Sequence, residues 1–397
     1  MKNIYKIATG SVLTLSLVFV TSCGQPPKAD SNSVLTDART NFANYITGNF
    51  ATDMHLSESG QSKGTFTANI TSESDKLNAK VNGTFDGSQQ AVQSGTGMTL
   101  NSQVGLNLSA NVDSTSFKGE GKLDAELRVL GEKLYVVLND LTVNSADQAI
   151  QTNFDSQIKP FLTLYSKKWF FLDLVALGGS SAQVKIDAAA YAKIAEQVKA
   201  KELFDVVSEL PSEEGMYVYR VKPNKEGVKA LLTTAATVLK TPSMPSDEEM
   251  NKLVDDLSAE NITHKLYISA DKEYKKFVTT GTITEGTDVS DINSTINSKK
   301  RGDIEWTLVN STKSNGSEDA ITLHLEKTGD KYAAKVDAKM GSSKSTVALD
   351  ANGDFTKKDT KIEAPTDAQD IMGLAAALYG MNSSSTTAPA TDAVPAQ

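Results

Sequence analysis

Apolar and polar residues alternate along much of the chain, and each long stretch of alternation predicts a β-strand. The clearest stretch is GKLDAELRVLGEKLYVVLNDLTV. Its apolar side carries Leu123, Ala125, Leu127 and Val129 and then, after a turn at Gly131-Glu132, Leu134, Val136 and Leu138. A hairpin of this kind buries one face and leaves the other face in water.

Weaker alternation occurs on both sides of this hairpin. It is seen before the hairpin in KGTFTANI, KLNAKVNGTF and SQVGLNLSANV, and after residue 260 in THKLYISADKEYKKFVTTGTI, DIEWTLVN, DAITLHLEKTGDKYAAKVDAKM and SSKSTVALDANGDFTKKDTKIEA. The connections within each group are short, so we expect successive strands to pair antiparallel.

Helical periodicity marks a further set of segments. They are SVLTDARTNFANYITG, SADQAIQTNFDSQIKPFLTLY, DAAAYAKIAEQVKAKELFDVVSEL, NKEGVKALLTTAATVLK, SDEEMNKLVDDLSAE and DAQDIMGLAAALYG. A short aromatic strand, KKWFFLDL, separates the second segment from the third. This order predicts an α+β fold, in which helices pack on one face of a large antiparallel sheet.

The first residues have the pattern of an export signal. Lys2 and Lys6 precede an apolar run at residues 7–20, which is short for a spanning helix because a bilayer requires about 20 apolar residues. Thr21 and Ser22 then lead to Cys23, the only cysteine. The segment VTSC resembles a bacterial lipobox. This resemblance implies cleavage before Cys23, which then carries diacylglycerol on its sulfur and an acyl group on its amino terminus.

A lipid on Cys23 also accounts for the single thiol. Exported proteins usually pair or avoid cysteines because an exposed thiol is oxidised, and a thioether removes that problem. Two or three acyl chains hold a protein firmly on a membrane. We therefore expect a lipoprotein anchored to the cell membrane on its extracytoplasmic side, or to the outer membrane in a two-membrane cell. The alternative is a secreted protein with a free thiol.

These patterns divide the chain into four parts. We expect a signal peptide at residues 1–22, a flexible tether at 23–32, a body at 33–380 and a disordered, low-complexity tail at 381–397. The body is expected to be a single α+β domain. The alternative is a pair of lobes that meet near residues 211–245.

The net charge limits the partners. The whole chain has a formal charge of −9, and without residues 1–22 it has 38 basic and 49 acidic residues, a formal charge of −11. This acidity argues against binding to nucleic acid and against electrostatic docking on anionic lipid. Nothing in the sequence indicates an oligomeric state.

Residues suited to catalysis are scarce. The histidines, His55, His264 and His324, are far apart in the chain, and each lies in or beside a strand pattern, which favours surface positions on strands. No phosphate-binding glycine loop or G-x-S-x-G elbow occurs. The sequence therefore predicts a protein that is not an enzyme, with no catalytic residues, no metal site and no cofactor.

The body is similar to the LolA/LppX-like group of bacterial lipoproteins and lipoprotein carriers. The similarity lies in the lipobox, the first helix, the antiparallel run that ends in GEKLYVVL, the KKWFFLDL strand and the THKLYISADKEYKKF hairpin. It implies a half-barrel sheet whose concave face is closed by helices, with an acyl chain or a lipid held between the two layers.

The favoured function is binding or carriage of a lipid or another apolar ligand, with the membrane as a partner through the anchor. Because Trp169, Phe170 and Phe171 are consecutive, at least one of these rings is expected to point away from the main core side. Either helices cover both faces there and all three rings are core, or Trp169 or its neighbours border an apolar ligand cavity. The candidate ligand-lining residues are Leu127, Leu134, Val136, Leu138, Trp169 and Phe171. The alternative function is a structural or protein-interaction lipoprotein of the cell envelope.

Overall fold

The computed structural model describes residues 30–94, 97–115, 117–175, 184–239, 246–285, 287–298, 302–314 and 316–372. The expected signal peptide, Cys23 and the tail at 381–397 lie outside the described residues. The described α-helices are α1 (Ser31–Gly48), α2 (Phe50–Asp53), α3 (Gln148–Asn153), α4 (Lys159–Tyr165), α5 (Ala188–Ala200), α6 (Lys225–Leu239) and α7 (Asp247–Leu257). None of the helices in these ranges has the length and apolar character needed to cross a bilayer.

The strands form one sheet with 17 described members. They are β1 (Gly60–Ser72), β2 (Leu77–Ser94), β3 (Gly97–Asp113), β4 (Lys118–Leu130), β5 (Lys133–Ser145), β6 (Trp169–Asp173), β7 (Val184–Asp187), β8 (Phe204–Glu213), β9 (Met216–Pro223), β10 (Ile262–Ile268), β11 (Tyr274–Glu285), β12 (Asp288–Asn297), β13 (Ile304–Ser314), β14 (Ser317–Thr328), β15 (Lys331–Met340), β16 (Ser345–Lys357) and β17 (Gln369–Asp370).

Strand β1 joins the two halves of the sheet. It pairs antiparallel with β2 on one side and with β16 on the other, so that Ala68 lies opposite both Val81 and Leu349. From β1 the sheet continues through β2 to β6 in one direction and through β16 down to β8 in the other. Strand β17 adds to β6 in parallel, and β7 pairs antiparallel with the first four residues of β3.

The main core lies where helices cover strands β9 to β11. Helix α1 begins after Asp30, whose carboxylate accepts a hydrogen bond from the Ser33 amide, 3.2 Å away. Its buried residues Val34, Ala38 and Phe42 recur every four positions and therefore share one side of the helix. They pack with α5, α6 and the apolar side chains of strands β9 to β11 in one cluster.

The expected α+β fold of the LolA/LppX-like type is wrong. Most of the described chain is a single sheet, and the long helices α1, α5 and α6 pack against one part of it, around β9 to β11. The physical reason lies in the strands themselves. Alternating strands follow one another from β1 to β5 and from β10 to β16, and β1 pairs with both groups, so each of these strands has a strand neighbour.

Local predictions had mixed outcomes. The first helix and the aromatic strand are confirmed as α1 and β6. The second helical segment is confirmed, although it is divided into α3, a π-helical turn at Phe154–Ile158 and α4. The third segment is wrong beyond Ala200, because FDVVSEL forms β8 and pairs with β9. Its adjacent valines, Val206 and Val207, favour a strand.

Candidate functional site

One face of the sheet is apolar across adjacent strands. A register row on β13, β14, β15, β16, β1, β2 and β3 consists of Leu308, Leu323, Val336, Leu349, Ala68, Val81 and Ala110. A second row on the same face consists of Val104, Leu127, Val136 and Phe170 on β3 to β6. Leu308 is buried, but the other side chains in both rows are only half-buried. We call this half-buried surface on β14 to β16 and β1 to β6 the open apolar face.

A cavity of about 460 Å³ opens on this face. Its apolar wall is formed by Met54, Phe85, Trp306, Leu325, Ala334 and Ala351, from the turn after α2 and from β2, β13, β14, β15 and β16. Trp306 is held in place because its Nε1 donates a hydrogen bond to the Ser294 hydroxyl, 3.1 Å away. Apolar walls and a volume of several hundred Å³ are typical of sites for small ligands.

The ring of Phe85 packs on the backbone of two glycines, Gly64 on β1 and Gly353 on β16. A Cβ atom added at Gly64 would meet the ring of Phe85 and the carbonyl oxygen of Asn352. A Cβ added at Gly353 would lie 2.8 Å from the same ring. Glycine at these two positions leaves the room that Phe85 needs on the cavity wall.

An ion-pair cluster lies close to the cavity. His55 follows Met54 and has a φ of 55°, in the left-handed region. Its Nδ1 lies 3.2 Å from Glu58 Oε2, its Nε2 lies 3.2 Å from Asp330 Oδ1, and its ring stacks on Phe355 at 4.3 Å. Lys357 Nζ lies 2.7 Å from Glu58 Oε1. These contacts join the turn after α2 to β16 and to the turn between β14 and β15.

These contacts shift the pKa of Glu58 and that of Tyr332, whose ring centre lies 6.3 Å from that of His55. Burial acts to raise the pKa of Glu58, but hydrogen bonds from Lys357 and His55 outweigh burial and lower that pKa below its ordinary value. Burial, with help from the carboxylates of Asp330 and Glu58, raises the pKa of Tyr332 to about 12. Near neutral pH the carboxylate of Glu58 is therefore charged and Tyr332 is neutral.

Lys327 lines the cavity, but its ammonium group is held by hydrogen bonds to the backbone. Its Nζ donates to the carbonyl oxygens of Gly302 at 3.1 Å and Gly329 at 2.8 Å, and 7% of the residue is exposed. Since the ammonium is already bound to backbone, what the site offers a ligand is mainly apolar contact.

The structure places the predicted lining residues on two different faces. Leu127, Leu134, Val136 and Leu138 lie on the open apolar face and are half-buried. Trp169 lies opposite Val137 and Phe171 lies opposite Tyr135, so both aromatic rings are on the other face of the sheet. Phe170, which pairs with Val136, is the aromatic residue of this strand on the open apolar face. Lining of a ligand by the six candidates remains a prediction.

An extended segment at residues 358–368, here called the strap, crosses the face that carries Trp169. The Ile362 amide donates to Gln90 Oε1 at 3.1 Å, and Arg128 Nη1 donates to the Glu363 carbonyl at 2.9 Å. The Arg128 guanidinium also lies 4.4 Å from the centre of the Trp169 ring. The strap and Arg128 therefore occupy the surroundings of Trp169, and the cavity lies on the other side of the sheet.

The histidines occupy three separate environments. His55 belongs to the ion-pair cluster, and His324 is half-buried on β14 with its Nδ1 3.1 Å from the Thr307 hydroxyl. The prediction of a strand-surface position is wrong for His264, which is 2% exposed. Its position beside Phe277 and Leu257 depends on tertiary packing. Within the described ranges, no group of three or more His, Cys, Asp or Glu residues is arranged to hold a metal ion.

Comparison with known proteins gives weak structural likenesses only. No protein-family model matches the sequence, and no curated protein matches it significantly. The β domain of the Bordetella autotransporter BrkA aligns at 9% identity over 76% of this chain and 100% of that chain, with a TM-score of 0.26. The translocator domain of NalP from Neisseria meningitidis aligns at 8% identity over 83% and 98%, with a TM-score of 0.27.

The transport unit of AIDA-I from Escherichia coli is similar at 8% identity over 82% of this chain and 98% of that chain, with a TM-score of 0.28. TM-scores this low assign neither a fold nor a function to the chain. The candidate site is therefore defined by its own geometry, an apolar cavity on an incompletely covered sheet face.

Sequence reasoning missed the residues that form the cavity wall. Trp306 and Leu325 pair directly on the consecutive strands β13 and β14, but Phe85 on β2 is distant in sequence and becomes their neighbour only because β1 pairs with β16. The one signal available was alternation, which places each of them on the apolar side of its own strand.

Proposed function

We propose that the protein is a lipoprotein of the bacterial cell envelope, anchored through Cys23, that binds a lipid or another apolar molecule without chemical turnover. The observation that carries the binding proposal is the apolar cavity of about 460 Å³ on the open apolar face. Large apolar surfaces left accessible in this way commonly mark binding sites. The sequence around Cys23 supports the anchor, and the anchor supports an extracytoplasmic location.

The binding proposal is tested with residues 24–397, purified without the lipid anchor. Organic extracts are analysed by mass spectrometry, and binding of the fluorescent probe N-phenyl-1-naphthylamine is titrated. We expect a co-purified apolar molecule, probe binding, and displacement of the probe by the extracted molecule. A protein that carries no such molecule and does not bind the probe contradicts the proposal and favours a structural or protein-interaction role.

A matched pair of variants locates the site. Ala351 lines the cavity, whereas Ala348 lies on the opposite face of the same strand. Ala351→Trp fills the cavity and is expected to weaken probe binding at least about tenfold, while Ala348→Trp changes it less than about twofold. Equal effects of the two variants would show that the probe binds elsewhere.

The anchor is tested separately in cells. Metabolic labelling with an alkyne fatty acid is expected to label the wild-type protein and to leave Cys23→Ser unlabelled and released from membranes. Labelling of the Cys23→Ser protein, or an unlabelled wild type, contradicts the anchor and leaves the binding result unaffected.

A further inference from the structure

The last part of the segment between β5 and β6 carries lysines and no acidic residue, in a protein that is acidic as a whole. Residues 159–172 contain Lys159, Lys167 and Lys168 and no aspartate or glutamate, whereas the whole chain has a formal charge of −9. Lys159 Nζ lies 3.3 Å from Asp155 Oδ1, which neutralises part of its charge. Lys167 and Lys168 are exposed, and neither forms an ion pair with any residue that the structure describes.

The same segment exposes large apolar side chains. Leu164 on α4 is 62% exposed, which is the highest value for a large apolar residue in the described part of the chain. Ile158, immediately before α4, is 45% exposed. Exposed leucine and isoleucine beside lysine are typical of segments that lie in the interface of a bilayer, because the apolar side chains enter the acyl region while the ammonium groups stay at the headgroups.

This segment borders the open apolar face. The ring of Tyr165, at the end of α4, lies 5.8 Å from the ring of Phe170. Phe170 pairs with Val136 and belongs to the second apolar row. The exposed apolar side chain of α4 and the two lysines that follow this helix are therefore located where the open apolar face reaches strand β6.

We propose that Ile158, Lys159, Leu164, Lys167 and Lys168, here called the docking patch, bind the surface of an anionic phospholipid bilayer. The acidity of the whole chain does not oppose this contact strongly, because charges more than about 8 Å away are largely screened at physiological ionic strength. Docking places the edge of the open apolar face at the bilayer, so that an apolar molecule exchanges between the two without crossing water. The inference rests on the proposed membrane location.

The test measures co-sedimentation of residues 24–397 with two kinds of vesicle, phosphatidylcholine alone and an equal mixture with phosphatidylglycerol. We expect binding to the anionic vesicles and much weaker binding to the neutral ones. Lys167→Gln/Lys168→Gln is expected to weaken binding about 25-fold, or about fivefold for each lysine. Leu164→Glu is expected to weaken binding at least about tenfold. In 1 M salt, binding of the wild type is expected to weaken by about as much as it does when both lysines are removed.

Matched controls have the same chemistry elsewhere on the sheet. Lys331→Gln/Lys339→Gln removes two exposed lysines from β15, and Val309→Glu places an acid at a side chain that is 41% exposed on β13. Both controls are expected to bind vesicles like the wild type, and thermal unfolding checks that every variant folds. Docking at the patch is overturned if the patch variants bind normally or if the controls lose as much binding.

One further arm addresses residues 373–397, which follow the described chain. Removal of these residues is expected to leave vesicle binding unchanged. Binding that appears only after their removal overturns the proposal, because the patch would then be a docking site for that segment. Probe binding measured without vesicles distinguishes the docking proposal from the cavity proposal. If docking fails, probe binding in the cavity is unchanged. If the cavity binds no ligand, vesicle binding is unchanged.

Discussion

The imidazole of His264 is held neutral inside the protein. Its Nε2 donates to the carbonyl oxygen of Leu257 at 2.7 Å, so that Nδ1 accepts from the Thr279 hydroxyl at 2.9 Å. The ring stacks on Phe277 with centres 5.6 Å apart. Burial lowers the pKa of His264 below its ordinary value of 6.5, although the Leu257 carbonyl acts in the other direction. A charged imidazole is therefore disfavoured in the folded state.

This lowered pKa predicts a loss of stability in mild acid. Above pH 6.5, the ordinary pKa of histidine, both states are neutral at this position and stability is fully present. As the pH falls below that value, the unfolded chain binds a proton that the folded protein does not, so the free energy of unfolding decreases. Urea unfolding at about pH 7.5 and about pH 5.5 measures the effect.

A matched pair of histidine variants tests the assignment. His264→Gln is expected to cost about 1–3 kcal/mol at neutral pH, because it disturbs buried hydrogen bonds, and to reduce the pH dependence. His324→Gln, at a side chain that is 28% exposed, is expected to keep the wild-type pH dependence. If His264→Gln retains the full dependence, the loss in acid arises from other groups.

Arg128 connects the strap to the sheet. Its Nε lies 2.7 Å from Glu126 Oε1, its Nη1 donates to the strap, and its guanidinium covers the Trp169 ring. On the face that the strap crosses, away from the cavity, Tyr135 is 7% exposed and Val137 is 3% exposed. Loss of Arg128 therefore removes a strap contact and the cover of one tryptophan ring.

Arg128→Ala is expected to increase acrylamide quenching of Trp169 fluorescence and to lower stability by about 1–2 kcal/mol, because both packing and a charged hydrogen bond are lost. The measurement is made in a Trp306→Phe background so that one tryptophan reports. Lys122→Ala, at an exposed residue of the same strand, serves as the control. Unchanged quenching would show that the strap is not held by Arg128.

Which segments form strands could be predicted from the sequence more reliably than which face of the sheet each side chain occupies. Alternation correctly placed Leu134, Val136 and Leu138 together on one side of β5. The side taken by Trp169 depends on its pairing with Val137, a register between β5 and β6 that local periodicity does not encode. Alternation was expected to continue through residues 358–364, but β16 ends at Lys357, so the position of the strap could not be predicted from local patterning.

At the scale of the whole molecule, the fold depends on a pairing between distant parts of the chain. Gly60 lies opposite Lys357, and this long-range register between β1 and β16 unites two groups of strands that each pair locally. Sequence patterns identified both groups and the helices between them, but they contained no signal for this pairing. The fold class was therefore predicted wrongly even though most of its strands were predicted correctly.

Uneven coverage of this sheet predicts uneven protection from hydrogen exchange. Strands β9 to β11 lie under the helices and their amides are expected to exchange at least about tenfold more slowly than those of β14 to β16, because opening the covered part exposes more apolar surface. An apolar ligand in the cavity is expected to slow exchange in β14 to β16 and to leave β9 to β11 unchanged. Deuterium uptake followed by mass spectrometry measures both effects, with Ala351→Trp as the variant that lacks the ligand response. Uniform protection would show that the helices add little to the stability of the strands beneath them. A ligand response confined to β9 to β11 would place the binding site in the core under the helices.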